Sequence, residues 1–418
     1  MRDALKISSI NIERILFRGF CVTFFLVPLG TSPFLISGYL TLALWICSGR
    51  FITDRRLWLK QPWVAPMLVF AALHWIGLLY TNDLNAGLKF AAKTHYWLFA
   101  FAIASIPFHR YSPKALLNSF LAGLSLAAAV HIAINSGIIP ASQRYAASFI
   151  NPITYILFLT FGILLLSFYF SKAGGLKGRL LYGAGMLLYF ASISLFAGAP
   201  GRTALLPLVI FFPVIVYNLL GQRSFPKVFA ATLLAMTALY FTPVVQSSLN
   251  DTTTQIKSYY GGNPDTSMGL RLHMWNGAVR IFTDNPVIGI GTGGYQSAMA
   301  EHANPALDPQ LAFNQPHNSF LYMAVSFGAV GALSLCWVLI QFIRAGWRHI
   351  EHLPGFSIFA FGLIVAVASL TDTQIIQVHT GILFAMLTGL QTALKPTAGK
   401  EQVHESQRVY LHKEGLGI

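Results

Sequence analysis

The chain has 418 residues, of which 55% are hydrophobic and only 10% are charged. Soluble domains carry about 25% charged residues, so this composition excludes a soluble globular protein. The formal net charge of +14 does not indicate a nucleic-acid partner, because the basic residues follow the pattern that sets membrane topology. The composition therefore predicts a membrane protein. Its apolar runs are continuous rather than alternating, which excludes a β-barrel and predicts an all-α polytopic fold.

Continuous apolar runs recur along the chain and predict about twelve transmembrane helices. A helix needs roughly 20 apolar residues to cross a bilayer, and runs such as Ile153–Phe170 approach that length. The predicted spans are residues 13–30, 32–49, 62–80, 92–108, 115–134, 153–171, 180–198, 203–220, 228–246, 318–343, 356–371 and 375–394. The last two are joined by a short turn and could instead be re-entrant. No repeat or separate soluble domain is evident, so residues 1–418 are predicted to form one membrane domain.

Lysine and arginine are distributed unequally between the two sides of these spans. With a cytoplasmic N-terminus, 20 of them fall inside and 7 outside, with one more within the first span. Cytoplasmic loops carry such an excess, so both termini are predicted inside, including the tail of residues 395–418. The large loop of residues 247–316, between spans 9 and 10, is then outside. Seven outer acidic residues, Asp372 among them, balance the outer basic residues.

A positively charged cluster is predicted at the outer start of the fourth span. Lys89 and Lys93 are four residues apart there, and His95 is close in sequence. Arg202 lies in a short outer connection between spans 7 and 8, where an arginine side chain has limited room to reach the membrane interface. Ionisable groups at such positions are candidates for function, and an interfacial anchor is the alternative for Arg202.

The outer loop contains a predicted helix at Asp265–Pro286. Residues 265–267 can cap its start, and Asn285-Pro286 can end it. Arg271 and Trp275 are four residues apart and therefore share one face of this helix, which also carries Arg280. We expect the loop to be a folded cap on the membrane surface. Arg271 could bind either a substrate anion or lipid headgroups.

A glycine-rich segment, Asn285–Tyr295, follows this helix. Its four glycines could wrap backbone N–H groups around an anion. No Gly-Lys-Ser/Thr follows, however, and no strand–helix nucleotide-binding unit surrounds the segment. We therefore interpret it as a tight turn that requires positive φ angles.

His317 stands where the outer loop enters the tenth span. Its neutral imidazole can accept a proton near physiological pH, which is the requirement for a general base. Asn318 and Ser319 can cap the following helix. A polar interfacial residue without a catalytic role is the alternative interpretation of His317.

Motifs for other chemistry are missing from the sequence. We find no Asp-x-Asp pair, no His-Glu-x-x-His, no Cys-x-x-Cys and no Walker lysine. Outer-face chemistry is therefore expected to use neither a metal nor another cofactor. A lipid pyrophosphate, which carries its own leaving group, would suit arginines that grip phosphate oxygens bidentately.

Three segments together resemble the signature of the O-antigen ligase and polymerase family. They are "MGLRLHMW" with Arg271 and Trp275, "NPVIGIGTGGY", and "PHNSFLYMAVSFGAVGAL" with His317 and Asn318. "AGAPGRTA" with Arg202 resembles the family's Ser/Gly-Arg element. Ala199-Pro200 differs from the Ser-x-Ser or Ser-Gly residues that usually precede the arginine in the family. The combination is specific, whereas each piece alone is not.

The resemblance implies an O-antigen ligase of the bacterial inner membrane, GT-C-like in fold, with its active site facing the periplasm. Such enzymes move a glycan from undecaprenyl pyrophosphate onto lipid A–core oligosaccharide, with inversion and without a metal. His317 would then be the general base, and Arg202 and Arg271 would bind the pyrophosphate. Asn318, Trp275, Lys89, Lys93 and Arg280 would support substrate binding.

Alternatives remain open at this stage. An O-antigen polymerase would use the same donor with a lipid-linked glycan as acceptor, and a protein O-oligosaccharyltransferase is a third member of the class. A flippase for lipid-linked glycans is the alternative from another class. Transporters, however, commonly show repeated halves and charged residues at the membrane midplane, and the sequence shows neither.

Overall fold

The computed structural model describes residues 2–140, 150–195, 205–220, 225–241, 243–301 and 315–394. Every regular element in these ranges is helical. The α-helices are α1 (Arg2–Leu26), α2 (Thr31–Cys47), α3 (Arg50–Thr53), α4 (Arg55–Leu59), α5 (Val64–Ile76), α6 (Leu84–Ala92), α7 (Leu98–Ala104), α8 (Pro113–Asn135), α9 (Pro152–Lys172), α10 (Leu176–Ser194), α11 (Leu206–Leu220), α12 (Phe225–Tyr240), α13 (Pro243–Tyr260), α14 (Ser267–Asp284), α15 (Tyr295–Glu301), α16 (Ser319–Trp347), α17 (Leu353–Ala368) and α18 (Val378–Gly389). Short 3₁₀ helices follow or precede them at Gly77–Leu79, Lys93–Trp97, Gln374–Ile376 and Leu390–Leu394.

The apolar helices are those of a multi-pass membrane protein. In the described ranges, α8, α9 and α16 are long and apolar enough to cross a membrane alone. Shorter apolar helices lie at Thr31–Cys47, Val64–Leu79, Leu206–Leu220, Leu353–Ala368 and Val378–Leu394. A helix lies on each of the twelve predicted spans, but how many of them cross the bilayer stays a prediction.

Helix α9 forms the centre of the bundle. Every side chain from Thr154 to Phe168 is buried, so this helix is apolar around its whole circumference, as expected of a helix enclosed by others. Phe161 packs on Phe120 and Phe361 with ring centroids 5.5 and 5.0 Å apart. The aromatic core therefore ties α8 and α17 to the central helix.

The fourth predicted span, residues 92–108, is not one continuous helix. Asp83 accepts a hydrogen bond from the Ala86 N–H and starts α6, which ends at Ala92. A 3₁₀ helix then runs to Trp97 before α7 begins. The Thr94 hydroxyl donates to the Ala91 carbonyl at 2.7 Å, a local side-chain bond that competes with the regular helical pattern.

The tenth predicted span contains a kink that the sequence did not predict. Within α16, Phe327 and Gly328 leave helical geometry, and Gly328 has a φ of 64°. The glycine-rich segment supplies the missing hydrogen bonds, because Ile290 N–H donates to Val325 and Gly291 N–H to Ser326. The loop backbone therefore replaces part of the helical ladder at the kink.

The glycine-rich segment forms a turn with positive φ angles, as the sequence predicted, and its residues 291–295 are buried. Gly289, Gly291 and Gly293 have φ angles of 67°, 87° and 83°. A Cβ on Gly293 would lie 2.3 Å from the Gly87 nitrogen, so the close backbone approach also requires glycine there. Thr292 is fully buried, and its hydroxyl donates to the His74 carbonyl at 2.7 Å. The turn thus fixes the outer loop against α5 and α16.

Candidate functional site

The segment before α16 presents His317 in an unusual backbone conformation. Among the described residues other than glycine, His317 alone has a positive φ, at 48°. Such a conformation is uncommon for a side chain larger than glycine and persists only where the surroundings hold it. Backbone conformations of this kind concentrate at functional sites, so the contacts of His317 carry particular interest.

Two neighbours fix the backbone on either side of His317. The indole N–H of Trp275, on α14, donates to the Pro316 carbonyl at 2.9 Å. Asn318 caps α16, because its side-chain oxygen accepts from the N–H groups of Phe320 and Leu321. Its amide also donates to the Leu370 carbonyl at 3.0 Å. The capping that the sequence predicted for Asn318 is confirmed.

His317 contacts a carboxylate that lies 55 residues further along the chain. Its Nδ1 lies 2.9 Å from Oδ1 of Asp372, in the turn between α17 and α18. The Asp372 side chain is 5% exposed, whereas that of His317 is 37% exposed. The buried carboxylate therefore supports an imidazole that solvent and substrate can reach.

Further hydrogen bonds hold Asp372 in place. The Gln374 amide donates to Oδ2 of Asp372 at 2.8 Å, and its oxygen accepts from the Thr380 hydroxyl at 3.1 Å. Ser319 connects the two segments, because its hydroxyl donates to that of Ser369 at 3.0 Å and accepts from the Gln374 N–H. We call residues 369–377 the Asp372 turn. Its interlocked side chains leave the carboxylate little freedom to reorient.

Arg271 lies within the electrostatic reach of this pair. Burial lowers the pKa of the half-buried Arg271 guanidinium, and the negative charge of Asp372 acts in the opposite direction. A guanidinium stays charged in proteins, so α14 contributes a cation near the His317–Asp372 pair. In the part of the chain that the structure describes, Arg271 makes no direct ion pair, which leaves its donors available to an anion.

Of the other predicted cations, the structure describes Arg280, Lys89 and Lys93. Arg280 is exposed near the end of α14. Burial lowers the pKa of His273, and the charge of Arg280 adds to that effect. Lys89 is exposed on α6. Lys93 donates to the Ile376 carbonyl at 3.1 Å and lies 5.0 Å from the centre of the Phe90 ring. The Lys93 side chain therefore contacts a backbone carbonyl of the Asp372 turn. Arg202 lies outside the described residues.

Sequence reasoning did not assign Asp372 to the site. It entered the sequence argument only as one of seven outer carboxylates. A signal was present, because Asp372 is the one acidic residue in the short turn joining the last two predicted spans, on the side predicted for His317. The two positions are 55 residues apart in the chain, so no local sequence pattern indicates their contact.

The arrangement has the chemistry of a general base. A carboxylate that accepts the Nδ1 proton holds neutral histidine in the tautomer whose Nε2 lone pair is available to take a proton. It also stabilises the imidazolium formed after that transfer. A nearby guanidinium can stabilise negative charge on a leaving group. His317 and Asp372 can thus abstract a proton from a hydroxyl, and Arg271 can stabilise an anion that leaves in the same reaction.

Comparison with known proteins gives two matches. Residues 187–336 match the protein family described as O-antigen ligase, a range that includes Arg202, Arg271, Trp275, His317 and Asn318. A protein of Haemophilus influenzae described as uncharacterized is 25% identical over 166 residues, or 38% of this chain and 42% of that protein. The similarity thus spans less than half the length of that relative. Asp372 lies beyond the range of the family match.

Proposed function

Since the chain belongs to the O-antigen ligase family, we propose that it transfers an O-antigen glycan from undecaprenyl pyrophosphate to lipid A–core oligosaccharide. The reaction takes place at the periplasmic face of the bacterial inner membrane. The observation that carries the proposal is the His317–Asp372 pair at 2.9 Å, beside the cation of Arg271. Both termini are cytoplasmic in this account, following the distribution of basic residues.

In the proposed reaction, His317 takes the proton from the acceptor hydroxyl. The acceptor oxygen attacks the anomeric carbon of the donor, and the bond from that carbon to the pyrophosphate oxygen breaks. Undecaprenyl pyrophosphate leaves with the bonding electrons, and a single in-line displacement inverts the anomeric centre. Asp372 positions His317 and stabilises the imidazolium. Arg271, together with Arg202, binds the pyrophosphate and stabilises its growing charge.

A purified system tests this proposal directly. The chain is reconstituted in liposomes with lipid-linked glycan and lipid A–core, with a chelator and without ATP. Transfer that continues in the chelator supports the metal-independent mechanism, and chelator-sensitive transfer would contradict it. Mass spectrometry of the product gives the transferred glycan and the site of attachment.

Acceptor choice distinguishes the ligase from an O-antigen polymerase. The two share the donor and differ in whether the acceptor is lipid A–core or another lipid-linked glycan. A deletion strain that accumulates unligated lipid-linked polymer indicates a ligase, whereas lipopolysaccharide carrying a single repeat indicates a polymerase. A flippase is disfavoured because the His317–Asp372 pair resembles a reaction centre, with a buried acid behind an accessible base.

A further inference from the structure

The end of the bundle remote from His317 contains a cavity of about 400 Å³. Helix α16 starts beside His317 and continues for 29 residues, so at 1.5 Å per residue its last turn lies about 40 Å along the helix from the site. The cavity lies beside this last part of α16. The corner at Gln61–Pro62 and the segment Leu390–Leu394 close its other sides. We call this cavity the basic groove.

One face of α16 gives the basic groove an apolar end and a charged end. Trp337, Gln341, Arg344 and Arg348 are spaced by four, three and four residues, so they align along one face of the helix. Trp337 is 47% exposed and the neighbouring Ile340 is 53% exposed. The two arginines, also exposed, follow where α16 ends. The face thus changes from apolar to basic toward the end of the membrane domain.

The positive charge of the groove has no acidic partner among the described residues, since none of their carboxylates forms an ion pair with Arg344 or Arg348. Arg50, by contrast, pairs with Glu13 and Asp54 at 2.9 and 2.8 Å. His349 lines the groove as well. Two guanidinium groups that form no ion pair with the residues described are therefore presented beside the cavity.

A buried amide adds a second indication of a bound ligand. Gln391 lines the groove and is 6% exposed, and its oxygen accepts from the Gln341 amide at 2.9 Å. Its Nε2 is buried without a hydrogen-bond partner among the described residues. A buried donor in this state costs free energy unless an acceptor reaches it. The groove is therefore lined by two kinds of hydrogen-bond donor, the charged Arg344 and Arg348 and the neutral amide of Gln391.

We propose that the basic groove binds the headgroup of an anionic phospholipid from the leaflet remote from His317. The phosphate contacts Arg344 and Arg348, and an acyl chain lies against Trp337 and Ile340. Basic pockets between transmembrane helices are suited to anionic headgroups, and guanidinium groups bind phosphate oxygens bidentately. The predicted topology makes this the cytoplasmic leaflet. Residues 395–418 carry four basic and three acidic residues, so their net charge does not complement the groove.

Lipid binding by the full chain tests this proposal. Native mass spectrometry of the protein, released from nanodiscs that contain phosphatidylcholine and phosphatidylglycerol, measures which lipid remains bound. We expect the wild type to retain phosphatidylglycerol selectively. The double variant Arg344→Gln/Arg348→Gln is expected to lose that retention by roughly 10- to 30-fold, because each basic residue near the surface contributes modestly. Inorganic phosphate alone is expected not to displace the lipid.

A matched control removes two other charges at the same end of the bundle. Arg55 and Arg56 are exposed on α4 and do not line the groove. Arg55→Gln/Arg56→Gln is expected to retain phosphatidylglycerol like the wild type, and thermal unfolding checks that both double variants fold. An equal loss in the control would overturn the proposal, as would a wild type that shows no preference for phosphatidylglycerol. Displacement by inorganic phosphate would assign the groove to a free anion instead.

Discussion

Two clusters of ionisable side chains lie on the side predicted to face the periplasm, and they differ in what their members contact. At the Asp372 turn, the imidazole of His317 contacts a buried carboxylate, with the cation of Arg271 nearby. In the segment from Lys89 to His95, the partners are neutral, because Lys93 donates to a backbone carbonyl and His95 contacts the Tyr39 hydroxyl. The carboxylate of Asp372 fixes the tautomer of His317 and so prepares its imidazole for proton transfer. The hydrogen bond from Lys93 to a backbone carbonyl mainly holds that backbone in place.

The largest effect is expected from His317→Ala. Removing the general base lowers kcat for glycan transfer by roughly 10³-fold, the usual scale for such a group. Purified protein with saturating donor and acceptor provides the measurement. His95→Ala is the matched control from the second cluster and is expected to keep near wild-type kcat. Near-normal turnover in folded His317→Ala would remove His317 as the base.

Asp372→Asn is expected to lower kcat by roughly 10²-fold or more, because asparagine cannot hold the Nδ1–H tautomer as a carboxylate does. In the wild type, Gln374 donates to Oδ2 of Asp372. If the amide oxygen of the introduced asparagine keeps this bond, its N–H₂ group faces His317. KM for the donor should change little. A melting temperature close to that of the wild type shows that the effect is on turnover rather than on folding.

Arg271→Ala tests the role of the cation beside the pair. Losing a charge-assisted contact to pyrophosphate is expected to lower kcat/KM for the donor by roughly 10- to 100-fold. Arg280→Ala, on the same helix but exposed, serves as the control and is expected to behave like the wild type. If the two variants lose donor use equally, Arg271 acts only through the overall charge of the outer surface.

The smallest effect is expected from Lys93→Met. This change keeps the length of the side chain and removes the hydrogen bond to the Ile376 carbonyl, so the Asp372 turn loses one support. Turnover is expected to fall only a few-fold, about the worth of one hydrogen bond. Lys89→Met should have no effect. A loss as large as that of Asp372→Asn would show that Lys93 contacts substrate.

The sequence predicted the local features of this site well. The helix expected at Asp265–Pro286 is observed as Ser267–Asp284, with Thr266 as its cap. The positive φ angles of the glycine-rich turn and the cap by Asn318 also follow from local chemistry, in which neighbouring residues decide the backbone. Composition, together with the continuous apolar runs, predicted an all-helical membrane protein.

Features that depend on distant segments could not be predicted in this way. The kink at Phe327–Gly328 arises because the loop backbone near Ile290 bonds to α16, and no pattern within the span encodes that partner. The contact between His317 and Asp372 likewise depends on how α16, α17 and the Asp372 turn pack. The roles of His317 and Arg271 stay proposals that the variants above can test, and the role of Arg202 stays a proposal.

A double-mutant cycle on His317 and Asp372 tests most directly whether the carboxylate and the imidazole act as one catalytic unit. Transfer rates of His317→Ala, Asp372→Asn and the double variant are compared with the wild type under one set of saturating conditions. Residues that act as one unit give strongly non-additive losses. We expect the double variant to be no slower than His317→Ala alone. If the two losses multiply instead, Asp372 does not act through His317, and the proposed catalytic pair is wrong.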